Sequence, residues 1–97
     1  MVLTTTLEKL RSATIAHTDA GPYYVVDGDT HSEAIVKGVV SKARPSLCRV
    51  DVEGEMFTTT TTRGFEKGDA VLCRLSLDYK KGMPVFTILS MRHEDGV

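Results

Sequence analysis

The sequence has no tryptophan and few other aromatic residues, which limits the functions that it indicates. Phenylalanine and tyrosine together make up 6% of its 97 residues. Only two cysteines are present, Cys48 and Cys73, and their spacing is not that of a CxxC pair. A disulfide scaffold is therefore not indicated. We expect both thiols to be reduced and buried, as free cysteines commonly are.

Several features that define membrane proteins and enzymes are also missing. No apolar run approaches the roughly 20 residues that span a bilayer, and no basic start followed by an apolar block indicates a signal peptide. We therefore expect a cytoplasmic protein with no membrane partner. The chain has neither a phosphate-binding glycine loop nor a nucleophile elbow. His17, His31 and His93 are scattered, so no catalytic residue, metal or cofactor is expected.

The net charge of −1 conceals an uneven distribution along the chain. Residues 1–36 carry two basic and five acidic side chains, whereas residues 37–92 carry ten basic and six acidic ones. The last five residues add two more acidic side chains. A mildly basic body between acidic ends is compatible with a nucleic-acid partner, although it is far from a strongly basic footprint.

The chain length predicts one domain, residues 1–97, in which an N-terminal helix within residues 1–20 precedes a β-rich body. Thr5 and Glu8 have the spacing of a capping box. Leucines at positions 3, 7 and 10 form a short stripe at helical spacing. Gly21 and Pro22 predict that this helix ends near His17.

Residues 22–92 have the texture of an antiparallel barrel, followed by a polar tail at 93–97. One additional strand is predicted at 23–27, and a long strand at 33–43, where Gly38 indicates a bulge or sharp bend. Cys48, Val50 and Val52 alternate with charged residues, which predicts a half-buried strand over 47–52. This strand and a second one that runs through the threonines at 58–62 form a predicted tight hairpin at Glu53-Gly54. We expect the second strand to end at Arg63-Gly64. Two further strands, 70–76 and 84–92, complete a set of five.

This order of elements resembles the OB-fold of single-strand-binding proteins. The stretches that carry the resemblance are "IVKGVVSK", "LCRVDVEGEMF", "FEKGDAVLCRLSL" and "KKGMPVFTILSMR". The resemblance implies a mainly β fold, a small five-stranded antiparallel barrel with an N-terminal helix and one extra strand. An SH3-like barrel is an alternative. The OB-fold resemblance also implies a non-enzymatic binding module for single-stranded DNA or RNA, such as an accessory subunit in replication, recombination or RNA handling. The other function considered is a protein–protein adaptor or homodimer that uses a barrel edge strand.

The candidate nucleic-acid-binding residues are cations, aromatics and hydroxyls on the predicted barrel and its loops, because such sites combine positive charge with stacking platforms. They are Lys37, Lys42, Arg44, Arg49, Thr58, Thr60, Arg63, Phe65, Arg74, Tyr79, Lys80 and Lys81. Phe65 has an alternative interpretation as a plug of the barrel. Tyr79 with its two lysines is alternatively a solvated turn. The threonine hydroxyls would contact phosphates or sugars, hydrogen-bond each other, or lie in an edge strand paired with a partner.

Overall fold

A curled antiparallel sheet dominates the structure, a computed structural model that describes residues 2–60 and 64–95. The elements are β1 (Leu3–Thr4), α1 (Leu7–Arg11), β2 (Thr14–Thr18), β3 (Gly21–Val26), β4 (Asp29–His31), β5 (Glu33–Arg44), β6 (Leu47–Val52), β7 (Glu55–Thr59), β8 (Ala70–Lys80) and β9 (Met83–His93). The main sheet has the order β7-β6-β5-β8-β9, and β1 adds to β5 in parallel. Strands β7 and β9 approach each other, so the sheet curls into a half-barrel. The predicted mainly β, OB-type fold is confirmed.

Strict alternation in the strands builds the core of the half-barrel. In β6, Cys48, Val50 and Val52 are buried while Arg49 points to the opposite face. Strand β8 alternates in the same way, with Val71, Cys73, Leu75 and Leu77 inside. Because each fully buried side chain of this size contributes roughly 1.5–3 kcal/mol, these two strands supply a large part of the driving force for folding.

The hairpin at Glu53-Gly54 is confirmed by the pairing of β6 with β7, in which Val52 lies opposite Glu55. Both turn residues have positive φ, 53° at Glu53 and 83° at Gly54, as a type I′ turn requires. The second strand is shorter than predicted. It ends at Thr59, Thr60 lies in a bend, and the predicted continuation through Thr61 and Thr62 to Arg63 lies outside the described residues.

Gly38 lies close to the point at which the hydrogen-bonded partner of β5 changes. β5 pairs with β8 over residues 33–39 and with β6 over residues 39–44. The side chains of β6 crowd this position. A Cβ on residue 38 would lie 2.7 Å from Val50 Cγ1 and 2.9 Å from Val52 Cγ2. The predicted bulge in this strand exists, but it lies between Val40 and Lys42. Gly38 is therefore a point of close packing.

The N-terminal region differs most from the sequence prediction. The helix ends at Arg11, and residues expected to continue it to His17 form β2. Strands β2, β3 and β4 make a separate antiparallel sheet in place of the single predicted strand. Thr6 caps the helix, because its side chain accepts a hydrogen bond from the Lys9 amide. The predicted cap, Thr5, lies one residue too early, because the helix begins at Leu7; its amide donates to the Ile35 carbonyl at 2.9 Å.

The short helix closes one end of the half-barrel. Leu7 and Leu10 are buried in the main core together with Tyr24 of β3. The tyrosine hydroxyl donates to the Asp78 carbonyl at 2.6 Å and so ties the small sheet to β8. A helix of five residues is unstable alone, so this packing holds it. At the other terminus, β9 extends to His93, the first residue of the predicted tail.

Candidate nucleic-acid interface

A β-bulge at Ser41 places two cations on the outer face of the half-barrel. Strand β5 buries Val36 and Val40 on alternate positions, and continued alternation would turn Lys42 and Arg44 inward. The register shift between Val40 and Lys42 instead puts two residues of β5 opposite Arg49. The Ser41 hydroxyl donates to the Arg49 carbonyl at 3.1 Å across this bulge. Bulges commonly redirect side chains at functional sites.

The redirected cations join side chains of β6 and β7 in one surface. Lys42 lies opposite Arg49, and Arg49 lies opposite Thr58, so the three side chains form a row across three strands. Arg44 follows two residues after Lys42 on the same face. We call Lys42, Arg44, Arg49 and Thr58 the basic face. Arg44, Arg49 and Thr58 are exposed, and Lys42 is partly exposed.

The three cations of the basic face have no acidic partner in the described part of the chain. Their backbone positions lie close together, because neighbouring strands are about 4.8 Å apart and alternate residues about 6.6 Å. These separations are below the Debye length of about 8 Å at physiological salt. Their charges therefore reinforce one another, and like charges directly opposite are unfavourable in a sheet. Asp51, two residues after Arg49 on the same face of β6, offsets part of this positive charge. An anion bound here would relieve that repulsion.

Two other predicted cations, Lys37 and Arg74, lie on the outer face of β5 and β8, and both have acidic partners. Lys37 Nζ lies 3.1 Å from a carboxylate oxygen of Glu94. Arg74 forms an ion pair with Glu33, which begins β5. These two cations are thus neutralised locally, in contrast with those of the basic face. The structure does not join them to the row formed by Lys42 and Arg49.

Tyr79, Lys80 and Lys81 belong to the β8–β9 hairpin. This end of the hairpin extends beyond the part of β8 that pairs with β5. Lys81 and Gly82 form its turn, both with positive φ. The Tyr79 ring packs edge-on against His17 at 5.6 Å, and its hydroxyl donates to the Gly82 carbonyl. Lys80 lies 3.6 Å from Asp78. A nucleic-acid contact by these three residues stays a prediction.

Phe65 packs against the hydrophobic core and is partly buried. Its ring stacks on His93 at 4.7 Å with 24° between the planes, and a ring nitrogen of that histidine lies 2.8 Å from the Gly64 carbonyl oxygen. This placement favours the interpretation of Phe65 as a plug. Thr60 is exposed just after β7, and Arg63 lies outside the described residues.

Two residues that matter for the site were not predicted from the sequence. Ser41 forms the bulge, and no local sequence signal distinguishes it from an ordinary strand residue. Glu53 positions the β6–β7 hairpin by accepting hydrogen bonds from the Leu7 and Glu8 amides at the start of α1. The signal for Glu53 was its place in a turn that prefers Asn or Asp, which indicates another task for the side chain.

The two cysteines lie in the hydrophobic core. Both cysteines are free and buried. Burial, with the nearby Cys48 as a smaller cause, raises the pKa of the Cys73 thiol to about 11; burial also raises the pKa of Cys48. Within residues 2–60 and 64–95, no group of three metal-ligating side chains occurs. No helix in that part of the chain has the length and apolarity to cross a membrane.

Comparison with known proteins finds a similar solved structure but no match by sequence. No protein-family model matches the sequence, and no curated protein matches it. Among solved structures, the fold is similar to a chain in a replication protein A heterotrimer bound to single-stranded DNA, with a TM-score of 0.62 and 14% sequence identity. The match covers 96% of this chain and 80% of the other. Likeness at this identity defines the class of fold.

Proposed function

We propose that the protein is a non-enzymatic module that binds single-stranded nucleic acid on the basic face. The observation that carries the proposal is the direct opposition of Lys42 and Arg49, with Arg44 beside them and no acidic partner in the described chain. Such an arrangement is unfavourable for the isolated protein and favourable when phosphates lie across it. A cytoplasmic role in replication, recombination or RNA handling is part of the proposal.

Two further observations support this function. Arg49 and Thr58 lie on β6 and β7, the first hairpin after the long strand, whose two strands OB-folds use to bind oligonucleotides. Lys42 and Arg44 lie beside this hairpin, at the end of the long strand β5. The structural relative belongs to an assembly whose bound ligand is single-stranded DNA. At 14% identity that relative supports a binding module at the level of fold, and the charge arrangement of this chain's own residues locates the surface.

Fluorescence anisotropy with a labelled single strand of about 16 nucleotides, the upper site size of one OB fold, tests the proposal. Each phosphate contact on a single strand contributes about −0.7 to the slope of log affinity against log salt, so three cations give a slope near −2. The titration should run between about 50 and 200 mM salt. Absence of binding at the lowest salt contradicts the proposed function.

A charge-reversal pair locates the surface. Arg49→Glu should weaken binding about tenfold or more, since a hydrogen bond to a charged group contributes about 1.5–3 kcal/mol. Lys9→Glu, an exposed reversal on α1, changes net charge equally and should have a much smaller effect. Equal losses in the two variants would mean that net charge alone governs binding. Lys80→Glu with Lys81→Glu tests whether the β8–β9 hairpin belongs to the site.

A second candidate function is self-association or adaptor binding through a barrel edge. Strand β7 ends the hydrogen-bonded order of the main sheet, and Met56 on it is an exposed large hydrophobic residue. Edge strands of this kind accept a strand from another chain. Light scattering over a range of protein concentrations measures self-association. A strict monomer at high concentration contradicts the homodimer, and Met56→Lys should disrupt any dimer that forms this way.

A further inference from the structure

We infer that the basic face binds the sugar–phosphate backbone and takes almost no binding energy from the bases. This inference rests on the proposed function and specifies its ligand: the phosphodiester chain of a single strand, independent of base identity. It differs from the usual single-strand site, in which bases stack on aromatic side chains. The inference rests on where the aromatic rings of the chain lie in the structure.

All six phenylalanine and tyrosine residues lie in the described part of the chain, and none of them belongs to the basic face. Tyr24 is buried with its ring 5.7 Å from Phe86. Phe57 lies opposite buried Val50 on the inner face of the sheet. The other three rings are Phe65 stacked on His93, Tyr79 against His17, and Tyr23 opposite Ala16 in the N-terminal sheet.

The side chains of the basic face match the chemistry of phosphate. Lysine and arginine are hydrogen-bond donors only, and the threonine hydroxyl also donates. Phosphate oxygens accept hydrogen bonds from such donors at every nucleotide, whereas guanine alone among the major-groove base edges presents a pair of acceptors to them. The residues in the next row toward the Glu53-Gly54 hairpin are Val39, Asp51 and Met56. The flat ring that sequence-tolerant stacking uses is missing from both described rows.

Binding should therefore be insensitive to the bases. The experiment compares three single strands of equal length: oligo-dT, oligo-dA and a strand in which the central nucleotides are abasic. Stacking of even one base on an aromatic side chain would contribute about fivefold or more to affinity. Because the basic face has no aromatic side chain, we expect the three affinities to agree within about twofold. An abasic strand bound about tenfold more weakly overturns the inference and leaves the proposed function standing.

The variants separate a failure of this inference from a failure of the proposed function. Arg49→Glu should lower the affinity for all three strands by the same factor. A loss confined to the strands that carry bases would show that the Arg49 guanidinium stacks on a base, which contradicts backbone-only recognition. If none of the three strands binds at low salt, the proposed function itself is wrong. Phe65→Leu, which keeps the interior packing apolar, should leave all three affinities unchanged; a large loss identifies Phe65 as a stacking residue and overturns the inference.

Discussion

Lys42 and Arg49 lie directly opposite each other on adjacent antiparallel strands, and both point to the outer face. This like-charge pair predicts that stability and binding respond in opposite directions to one substitution. Lys42→Glu converts the pair to opposite charges and should raise the free energy of unfolding by about 0.5–1 kcal/mol. The same change should weaken binding of a single strand about tenfold, because it removes one of the proposed phosphate contacts.

Urea unfolding and fluorescence anisotropy on the same preparation measure both effects of Lys42→Glu. The stabilisation should shrink as salt is added, because exposed charges are screened. Lys9→Glu is the control and should change neither quantity much. Unaltered binding by the Lys42→Glu protein removes Lys42 from the interface, whatever happens to stability.

Gly38→Ala should destabilise the protein by about 1–3 kcal/mol, the usual effect of forcing an added methyl group into a packed interior. The new Cβ would lie 2.7 Å from Val50 Cγ1 and 3.1 Å from the Asp51 carbonyl oxygen. Equilibrium unfolding in urea measures this change. A double-mutant cycle with Val50→Ala should show favourable coupling, because the smaller side chain removes the closest contact. Strictly additive effects contradict the packing explanation.

Glu53→Ala should destabilise the protein by about 1–2 kcal/mol, because its carboxylate accepts hydrogen bonds from the Leu7 and Glu8 amides. Those amides are at the start of α1, where an acidic acceptor is most favourable. Glu55→Ala is the matched control. It removes an exposed ion pair with Arg11, which contributes about 0–1 kcal/mol. Equal losses in the two variants would argue against a capping role for Glu53.

Alkaline pH should destabilise the protein through Cys73. Its pKa is raised in the folded state from a usual 9.0 to about 11, so the folded state holds the thiol proton more tightly than the unfolded state. The corresponding stabilisation is fully present below pH 9.0 and is lost as the pH rises through about 11. Unfolding midpoints across this window should fall less steeply in Cys73→Ala. A parallel pH dependence in both proteins contradicts this origin.

The order of strands along the chain was predictable because the sequence signals for strands and turns are local and recur. Alternation in residues 47–52 identified a half-buried strand, and Glu53-Gly54 identified the turn that follows it. The N-terminal helix was predicted too long because the stop signal that was used, Gly21-Pro22, lies well beyond the residue at which the helix ends. Residues 14–18 instead pair with β3 in a hairpin in which Thr18 lies opposite Gly21, so they are not available to extend the helix beyond Arg11.

The candidate interface was predicted as a set of residues and not as a surface. Lys42, Arg44, Arg49 and Thr58 were all identified, together with cations that the structure pairs with Glu33, Asp78 and Glu94. Ion pairs between residues up to 57 positions apart, such as Lys37 with Glu94, depend on strand order. Sequence spacing carries no information about such neighbours.

By itself, the sequence determined the class of fold, the first hairpin and the alternation that buries Cys48, Val50 and Val52. These follow from the period of two in side-chain direction and from turn chemistry, both of which act over a few residues. Only the tertiary structure decided where the charges lie. The bulge at Ser41 changes the face on which Lys42 and Arg44 emerge, and strand pairing then places them beside Arg49 without a described acidic partner. A one-residue shift in register reverses the face of every following side chain, and strand pairing, a property of the whole sheet, set that register.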